Sequence, residues 1–262
     1  MPTLKLADAS LNYRFDGAEG LPVLVLSNSL GTSLGMWDEQ IPVFANHFRV
    51  LRYDTRGHGE SSASPGPYSI EQLGRDVLGL LDGLGIESFS FCGLSMGGLI
   101  GQWLALHAGP RLQRLVLCNT AAKIGTEQIW NDRIETVLRG QQQAMRDMRD
   151  ASVARWFTPG FAEQHPDIAS RITDMIANTS PDGYAANCAA VRDADFREQL
   201  AAITAPTLVV CGAKDLVTTV EHGQFIRAQV AGAELVAFEA AHLSNVEAGQ
   251  AFTQRVLEFL RG

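Results

Sequence analysis

The feature that most constrains the fold of this chain is an alternation between short, continuous apolar runs and segments with helical periodicity. Runs of this kind are typical of strands buried on both faces of a sheet. Between them, residues 69–85 have helical spacing, with Ser69 as the predicted N-cap. The alternation predicts an α/β fold with a mostly parallel central sheet and helices on both faces. The runs in the first 120 residues are 22–26, 48–53, 88–92 and 112–118.

The same alternation resumes after residue 200 and is interrupted before it. The stretch 121–200 contains no strand-like run, and its apolar residues recur at helical spacing in four places. We therefore predict a core formed by residues 1–120 and 201–262, with residues 121–200 inserted as an all-helical cap over one edge of the sheet. The elements predicted after residue 200 are strands at 207–211 and 234–238 and helices at 220–230 and 246–260.

Charge and cysteine content exclude several classes of protein. Lys and Arg number 21 against 29 Asp and Glu, which gives a net charge of −8, so binding to nucleic acid or to an anionic membrane is not expected. The N-terminal residues show no basic region followed by an apolar one, and we expect neither a signal peptide nor a membrane span. The four cysteines form no CxxC pair, which predicts reduced thiols and a cytoplasmic location.

The sharpest signal for chemistry is the sequence GLSMGG at residues 93–98, which follows a predicted strand and precedes a helical segment. A serine on so tight a turn between strand and helix holds its hydroxyl clear of the backbone, and flanking glycines let the two elements pass closely. This context predicts that Ser95 is a nucleophile. The alternative is a serine in an ordinary glycine-rich loop.

A serine hydroxyl needs a base to take its proton and a third group to orient that base. Of the six histidines, only His242 follows the last predicted strand, at the edge where a parallel sheet binds ligands. We predict that His242 is the base and that His58, in RGHGES, shapes the site by hydrogen bonding. Asp215 follows the strand at 207–211 and is the predicted acid, although it could also cap a helix. Asn119, at another strand end, lacks the charge.

An acyl-transfer site also needs two backbone N–H donors for the oxyanion. The residue after the nucleophile, Met96, supplies one. The second is expected from the loop SNSLGTSLGMW, where alignment with the lipase-type loop places Leu30 at the donating position and Gly31 beside it.

Taken together, SNSLGTSLGMWD, YDTRGHGESS, CGLSMGGLIGQWLA, CNTAAKIGT and AAHLSNVE resemble the α/β-hydrolase family over essentially the whole chain. The resemblance is closer still to the 3-oxoadipate enol-lactonases of the β-ketoadipate route, which also have Asn-Ser where many relatives have His-Gly, here Asn28 and Ser29. It implies hydrolysis of 3-oxoadipate enol-lactone to 3-oxoadipate through an acyl-enzyme on Ser95, in the breakdown of aromatic compounds. It implies no metal and no organic cofactor.

The lactone implied by this resemblance is a small anion, which a protein of net charge −8 repels unless a local cation faces the pocket. Arginine suits a carboxylate best, because its fork binds both oxygens. Trp130 and Arg133 are three residues apart on the first predicted helix of the insertion. We predict that both line the pocket, with Arg155 and Trp156 as second choices; the alternative is a solvated arginine beside a core tryptophan.

Other functions on the same fold stay open. An aspartate at the turn between strand and helix is typical of dehalogenases and epoxide hydrolases, and this chain has Ser95 at that turn. Serine hydrolases of other small esters or of carbon–carbon bonds, and cofactor-free haloperoxidase-like esterases, are alternatives. A ligand-binding module without turnover is the alternative from a different class.

Overall fold

An eight-stranded sheet runs through the computed structural model, which describes residues 2–262. Its strands lie in the order β1-β2-β4-β3-β5-β6-β7-β8. β2 is antiparallel to β1 and β4, and every later pair of neighbours is parallel. The predicted mostly parallel sheet is therefore confirmed. The strands are β1 (Thr3–Lys5), β2 (Ser10–Asp16), β3 (Val23–Ser27), β4 (Arg49–Tyr53), β5 (Phe89–Leu94), β6 (Leu112–Cys118), β7 (Thr207–Gly212) and β8 (Glu234–Phe238).

The helices follow the predicted alternation. Ser69 is the N-cap of α2, and its side chain accepts a hydrogen bond from the Gln72 amide at 3.1 Å. Within residues 2–262, no helix is long and apolar enough to cross a membrane. The helices are α1 (Ile41–Phe44), α2 (Ile70–Gly83), α3 (Met96–His107), α4 (Glu127–Trp156), α5 (Phe161–Gln164), α6 (Pro166–Ala177), α7 (Pro181–Asp193), α8 (Val220–Gln229), α9 (Ser244–Glu247) and α10 (Gly249–Arg261).

The N-terminal residues add two strands that the sequence analysis does not predict. Residues 3–5 and 10–16 alternate polar and apolar side chains, and they form β1 and β2 at the edge of the sheet. Alternation is the pattern of a strand with only one face buried. Neither strand contains a continuous apolar run, and so a search for such runs misses both.

Helices α4 to α7 lie between β6 and β7, with α4 packed against α6 and α7. The first two predicted helices of this segment are the two halves of α4, which are separated by Gln141 at φ 50° and ψ −138°. The division of the chain into a core and a cap at residues 121 and 200 stays a prediction. The first residue of the predicted core, Met1, lies outside the described residues.

The sheet brings two loops together at the carboxyl ends of β3 and β5. β3 pairs with β4 on one side and with β5 on the other, and Ser27 lies beside Gly93 in the register. The chain thus leaves neighbouring strands in opposite directions, which opens a crevice where α/β proteins bind ligands. Across it, the Gly97 amide donates to the Asn28 carbonyl oxygen at 3.1 Å.

Replacing Gly97 by alanine should lower the free energy of unfolding by about 1–3 kcal/mol, because the side chain would overpack this contact. A Cβ at Gly97 would lie 2.4 Å from the Ser27 carbonyl oxygen, and that oxygen belongs to strand backbone that cannot move aside. Gly249→Ala is the matched control, since nothing lies within 4 Å of a Cβ there. Equal denaturation midpoints for the two variants would contradict the prediction.

Candidate active site

Ser95 occupies a strained turn between β5 and α3. Its φ of 57° and ψ of −111° lie in a region that residues other than glycine rarely adopt. The Ser95 amide donates to the Cys118 carbonyl oxygen at 2.9 Å, and the Ser95 carbonyl oxygen accepts from Thr120 Oγ1 at 2.8 Å. Hydrogen bonds to the last residue of β6 and to the loop that follows it therefore hold both the amide and the carbonyl group of the predicted nucleophile.

His242 and Asp215 come together although they lie in separate loops. Asp215 follows β7, and His242 follows β8. The Ala213 amide donates to the Phe238 carbonyl oxygen at 2.7 Å, and the Lys214 amide donates to the Ala240 carbonyl oxygen at 2.9 Å. These bonds align the loops, and Nδ1 of His242 lies 2.8 Å from Oδ2 of Asp215. The geometry suits a carboxylate that orients an imidazole.

The buried Asp215 carboxylate accepts hydrogen bonds at both oxygens. Oδ2 accepts from Asn119 Nδ2 at 3.0 Å and from Thr218 Oγ1 at 2.7 Å, and Oδ1 accepts from the amides of Val217 and Thr218 at 2.7 and 3.0 Å. Burial raises the pKa of Asp215. The charge and the hydrogen bond of His242, together with the hydrogen bonds of Asn119 and Thr218, lower it by more, so the pKa lies below its ordinary value. Asp215 therefore stays ionised.

The alternative role of Asp215 is that of a helix N-cap, and the structure gives that position to another residue. The N-cap of α8 is Thr219, so Asp215 does not cap that helix. Its Oδ1 bonds to the amides of Val217 and Thr218 instead fix the turn that follows β7.

Asn119 supports the pair and is missed by the sequence analysis, which considers it only as an uncharged alternative to Asp215. Besides its bond to Asp215, Asn119 Nδ2 donates to the Ala241 carbonyl oxygen at 3.1 Å, and its Oδ1 accepts from Ser244 Oγ at 2.5 Å. Asn119 thus holds the backbone before His242 and the side chain of Ser244 after it. Its place at the end of β6 was the available signal, since strand ends meet at this edge.

The loop after β3 carries the predicted oxyanion donor. Leu30 and Met96 both line the cavity that contains Ser95 and His242. Next to Leu30, the Gly31 amide donates to Nε2 of His58 at 2.9 Å. The prediction that His58 shapes the site by hydrogen bonding is consistent with this contact.

The cavity also brings in the four predicted residues of the helical segment. Trp130, Arg133, Arg155 and Trp156 line it together with Ser95 and His242. The alternative is a solvated arginine beside a core tryptophan. Arg133 is half-buried and lines the cavity, whereas Trp130 both lines the cavity and belongs to the buried core.

The cavity is cationic. The Arg133 guanidinium lies 4.9 Å from the centre of the Trp130 ring. One guanidinium nitrogen of Arg155 donates to Ser152 Oγ at 3.0 Å, whereas the buried Nε of Arg155 has no hydrogen-bond partner. Burial, and then the charge of Arg133, lower the pKa of Arg155. No Asp or Glu is among the residues of the described chain that line the cavity, so it favours an anionic ligand.

No metal-binding cluster accompanies these side chains. Residues 2–262 contain no group of three or more His, Cys, Asp and Glu side chains placed to hold a metal ion.

The buried His58 should make the folded protein sensitive to acid. Burial lowers the pKa of His58 from 6.5 to about 4, so protonation favours the unfolded chain. Stability is then unaffected above pH 6.5 and falls as the pH drops towards 4. We expect His58 to account for about 2 kcal/mol of lost unfolding free energy between pH 7 and pH 5.

Denaturant unfolding of the wild type and of His58→Gln at both pH values measures this loss. The variant should lose about 2 kcal/mol less than the wild type over that range. His165→Gln is the control, because His165 is exposed and its substitution should leave the pH dependence unchanged. Identical pH dependence in all three proteins would contradict the prediction.

Comparison with known proteins gives one consistent result. The family model for the alpha/beta hydrolase fold matches residues 22–248. The chain is 47% identical to 3-oxoadipate enol-lactonase 2 of Acinetobacter baylyi, over 97% of this chain and 94% of that protein. It is 38% identical to 3-oxoadipate enol-lactonase 1 of the same organism, over 96% and 93%. The crystal structure of the enol-lactonase from Burkholderia xenovorans superposes with a TM-score of 0.97 at 45% identity, covering 100% of both chains. The chain belongs to the α/β-hydrolase family.

Proposed function

We propose that this protein is an esterase that hydrolyses 3-oxoadipate enol-lactone to 3-oxoadipate in the catabolism of aromatic compounds. One observation carries the proposal: a single cavity holds Ser95 and His242 together with the guanidiniums of Arg133 and Arg155, and no acidic side chain lines it. The lactone combines an ester bond, which a serine–histidine pair attacks, with a free carboxylate, which a guanidinium binds. Two relatives of high identity are named as enzymes of this activity.

The first step opens the lactone ring. Ser95 Oγ attacks the lactone carbonyl carbon while His242 accepts the hydroxyl proton, and Asp215 stabilises the imidazolium that forms. The backbone N–H groups of Leu30 and Met96 donate to the oxyanion of the tetrahedral intermediate. Collapse of this intermediate breaks the ring C–O bond and leaves an acyl-enzyme.

The second step releases the product. The leaving group is an enolate that stays attached to the acyl chain, so no fragment departs at ring opening. The His242 imidazolium gives up the proton taken from Ser95, and protonation of the enolate on carbon converts it to a ketone, which is a far weaker nucleophile, so reclosure is suppressed. His242 is then neutral again. Water that gives its proton to His242 then attacks the ester carbonyl and frees 3-oxoadipate and the Ser95 hydroxyl.

The substrate carboxylate is assigned to the part of the cavity lined by Arg133 and Arg155, which is called its cationic end. Arg133 binds it, Trp130 forms the adjacent wall, and Arg155 and Trp156 complete the surface. Burial raises the pKa of Tyr184 to about 12 despite the nearby charges of Arg133 and Arg155, so this tyrosine supplies no competing anion. An anionic ligand therefore meets two guanidiniums whose charge nothing in the cavity neutralises.

The competing functions use this cavity less well. An esterase for neutral substrates, or a hydrolase of carbon–carbon bonds without an anionic group, has no use for two guanidiniums facing the serine. A module that only binds a ligand has no use for the bond between His242 and Asp215.

The proposal extends to domain organisation and location. We assign residues 121–200 as a cap over the core of residues 1–120 and 201–262, because both parts line the cavity. We place the enzyme in the cytoplasm. In support, the four cysteines form no CxxC pair and all are buried, where a thiol acts as a small apolar side chain.

Arg133→Ala should raise KM for the enol-lactone by about 10- to 100-fold with little change in kcat, because a charged hydrogen bond to bound substrate is lost. The assay generates the lactone in situ and follows the loss of its ultraviolet absorbance, with Ser95→Ala as the inactive reference. Arg139→Ala is the matched control, since Arg139 lies on the same helix with a side chain that is 75% exposed.

Arg155→Ala, measured in parallel, decides between the two arginines. A rise in KM for Arg155→Ala with none for Arg133→Ala would move the carboxylate to Arg155. No change in either variant would contradict an anionic substrate in this cavity.

Asp215→Asn should lower kcat about 10³- to 10⁴-fold with a small effect on KM, because an amide can no longer fix the tautomer or stabilise the imidazolium. Asp150→Asn is the control, since the Asp150 side chain is 86% exposed. A loss of less than tenfold would show that His242 does not depend on this carboxylate.

A further inference from the structure

We propose that His58 is a positioning residue for the oxyanion loop, held in place by Asn187 of α7. This inference rests on the proposed function, because it concerns the stabilisation of the oxyanion formed at Ser95. The contact that carries it is the 2.9 Å hydrogen bond from the Gly31 amide to Nε2 of His58. Gly31 follows Leu30, whose N–H is the assigned oxyanion donor.

The hydrogen bond fixes the state of the imidazole. An amide N–H can only donate, so Nε2 of His58 carries no proton and the ring proton lies on Nδ1. His58 is 1% exposed, and burial lowers its pKa to about 4, so the ring stays neutral at the pH where Ser95 and His242 act. His58 is thus a fixed acceptor beside the oxyanion loop and is too deeply buried to exchange protons with a substrate.

The backbone of Gly31 needs a hydrogen-bond partner to keep it in a single conformation. Its φ of 82° is accessible mainly to glycine, and a glycine without a partner for its amide has more than one conformation available. The amide of Leu30 precedes this residue directly. A displacement of Gly31 therefore displaces the predicted donor, and errors of about 1 Å in a catalytic group can cost about 100-fold in rate.

Asn187 fixes the carbonyl group that faces the other side of the imidazole. Its Nδ2 donates to the carbonyl oxygens of Arg56 and Gly183, both at 2.8 Å, and the Arg56 oxygen lies 3.5 Å from the protonated Nδ1 of His58. Asn187 Nδ2 and His58 Nδ1 are both donors, so their 3.4 Å approach is a packing contact and not a hydrogen bond. A Cβ on Gly57 would lie 2.7 Å from Gly183 Cα, so the loop with His58 and the first turn of α7 touch through their backbones. α7 therefore fixes the depth at which His58 sits.

The same helix reaches the cationic end of the cavity. Tyr184, three residues before Asn187, contacts Gly31: a Cβ there would lie 3.2 Å from the Tyr184 ring. Tyr184 also lies within the electrostatic reach of Arg133 and Arg155. One helix thus touches both the oxyanion loop and the surroundings of the arginines. The alignment of the substrate's ester with its carboxylate then depends on how α7 is seated against His58.

The experiment compares His58→Ala, His58→Gln and Asn187→Ala with wild type, and uses His165→Ala as an exposed-histidine control. For each we measure kcat and KM for the enol-lactone and for p-nitrophenyl acetate. We also measure the affinity for two probes by calorimetry. An alkylboronic acid forms a tetrahedral anion on Ser95 and fills the oxyanion site, whereas adipate tests the cationic end alone.

We expect His58→Ala to lower kcat about 10- to 100-fold for both substrates with KM within about twofold. The boronic acid should bind more weakly by a similar factor, and adipate should bind as in wild type. His58→Gln should recover most of the loss, because its side-chain oxygen can accept the Gly31 hydrogen bond. Asn187→Ala should shift kcat and boronic acid affinity in the same direction by a smaller factor.

The proposal is overturned if boronic acid affinity is unchanged in the variants, or if adipate affinity falls by as much. It is also overturned if His58→Gln is folded and no better than His58→Ala. Where His58→Ala does not fold, His58→Gln and Asn187→Ala decide by the same criteria. The boronic acid arm needs no turnover of the lactone, so failure of the proposed substrate and failure of the His58 role give different results.

Discussion

The strained backbone of Ser95 is the constraint on which the site depends. A residue other than glycine in such a conformation costs of order 1–3 kcal/mol, and the sheet must hold it there. β5 lies between β3 and β6, so both neighbours contribute: Cys118 and Thr120 bind the Ser95 backbone from one side, and Asn28 accepts the Gly97 amide from the other. The turn that carries Ser95, the proposed nucleophile, is therefore hydrogen-bonded to the oxyanion loop on one side. On the other side it is bonded to the end of β6, which is followed by Asn119, the hydrogen-bond partner of Asp215.

The loop that carries His242, the proposed base, is hydrogen-bonded to the helical segment as well as to the sheet. Glu247 accepts the Ala241 amide through Oε2 at 2.7 Å and the Thr158 amide through Oε1 at 3.0 Å. The Leu243 amide donates to the Trp156 carbonyl oxygen at 3.1 Å. Both residues that flank His242 are thus bonded, directly or through Glu247, to the chain around the end of α4. Because Trp156 also lines the cavity, the position of the imidazole and that of one cavity wall are coupled.

The sequence predicts those parts of the molecule whose signal is local. The parallel strands appear as continuous apolar runs, and Ser95, Asp215 and His242 each follow one of them. Asn119 is harder to predict, because it acts through a carboxylate 96 residues away, and no local pattern shows that pairing. For His58 the sequence predicts a hydrogen bond that shapes the site, but not its partner Gly31, which lies on a different loop. The edge strands β1 and β2 are missed for another reason: they are half-exposed and alternate instead of forming apolar runs.

The kink in α4 explains how two distant pairs of side chains reach one cavity. In a straight helix, the 26 residues from Trp130 to Trp156 would span about 39 Å, so the two ends could not both line the one cavity that contains them. Gln141 lies between them with non-helical backbone angles at positive φ, and it breaks the helix so that both halves face Ser95. This conformation costs of order 1–3 kcal/mol at a residue other than glycine. The presence of both Arg133 and Arg155 in one cavity, and with it the cationic character of that cavity, therefore depends on the backbone distortion at Gln141.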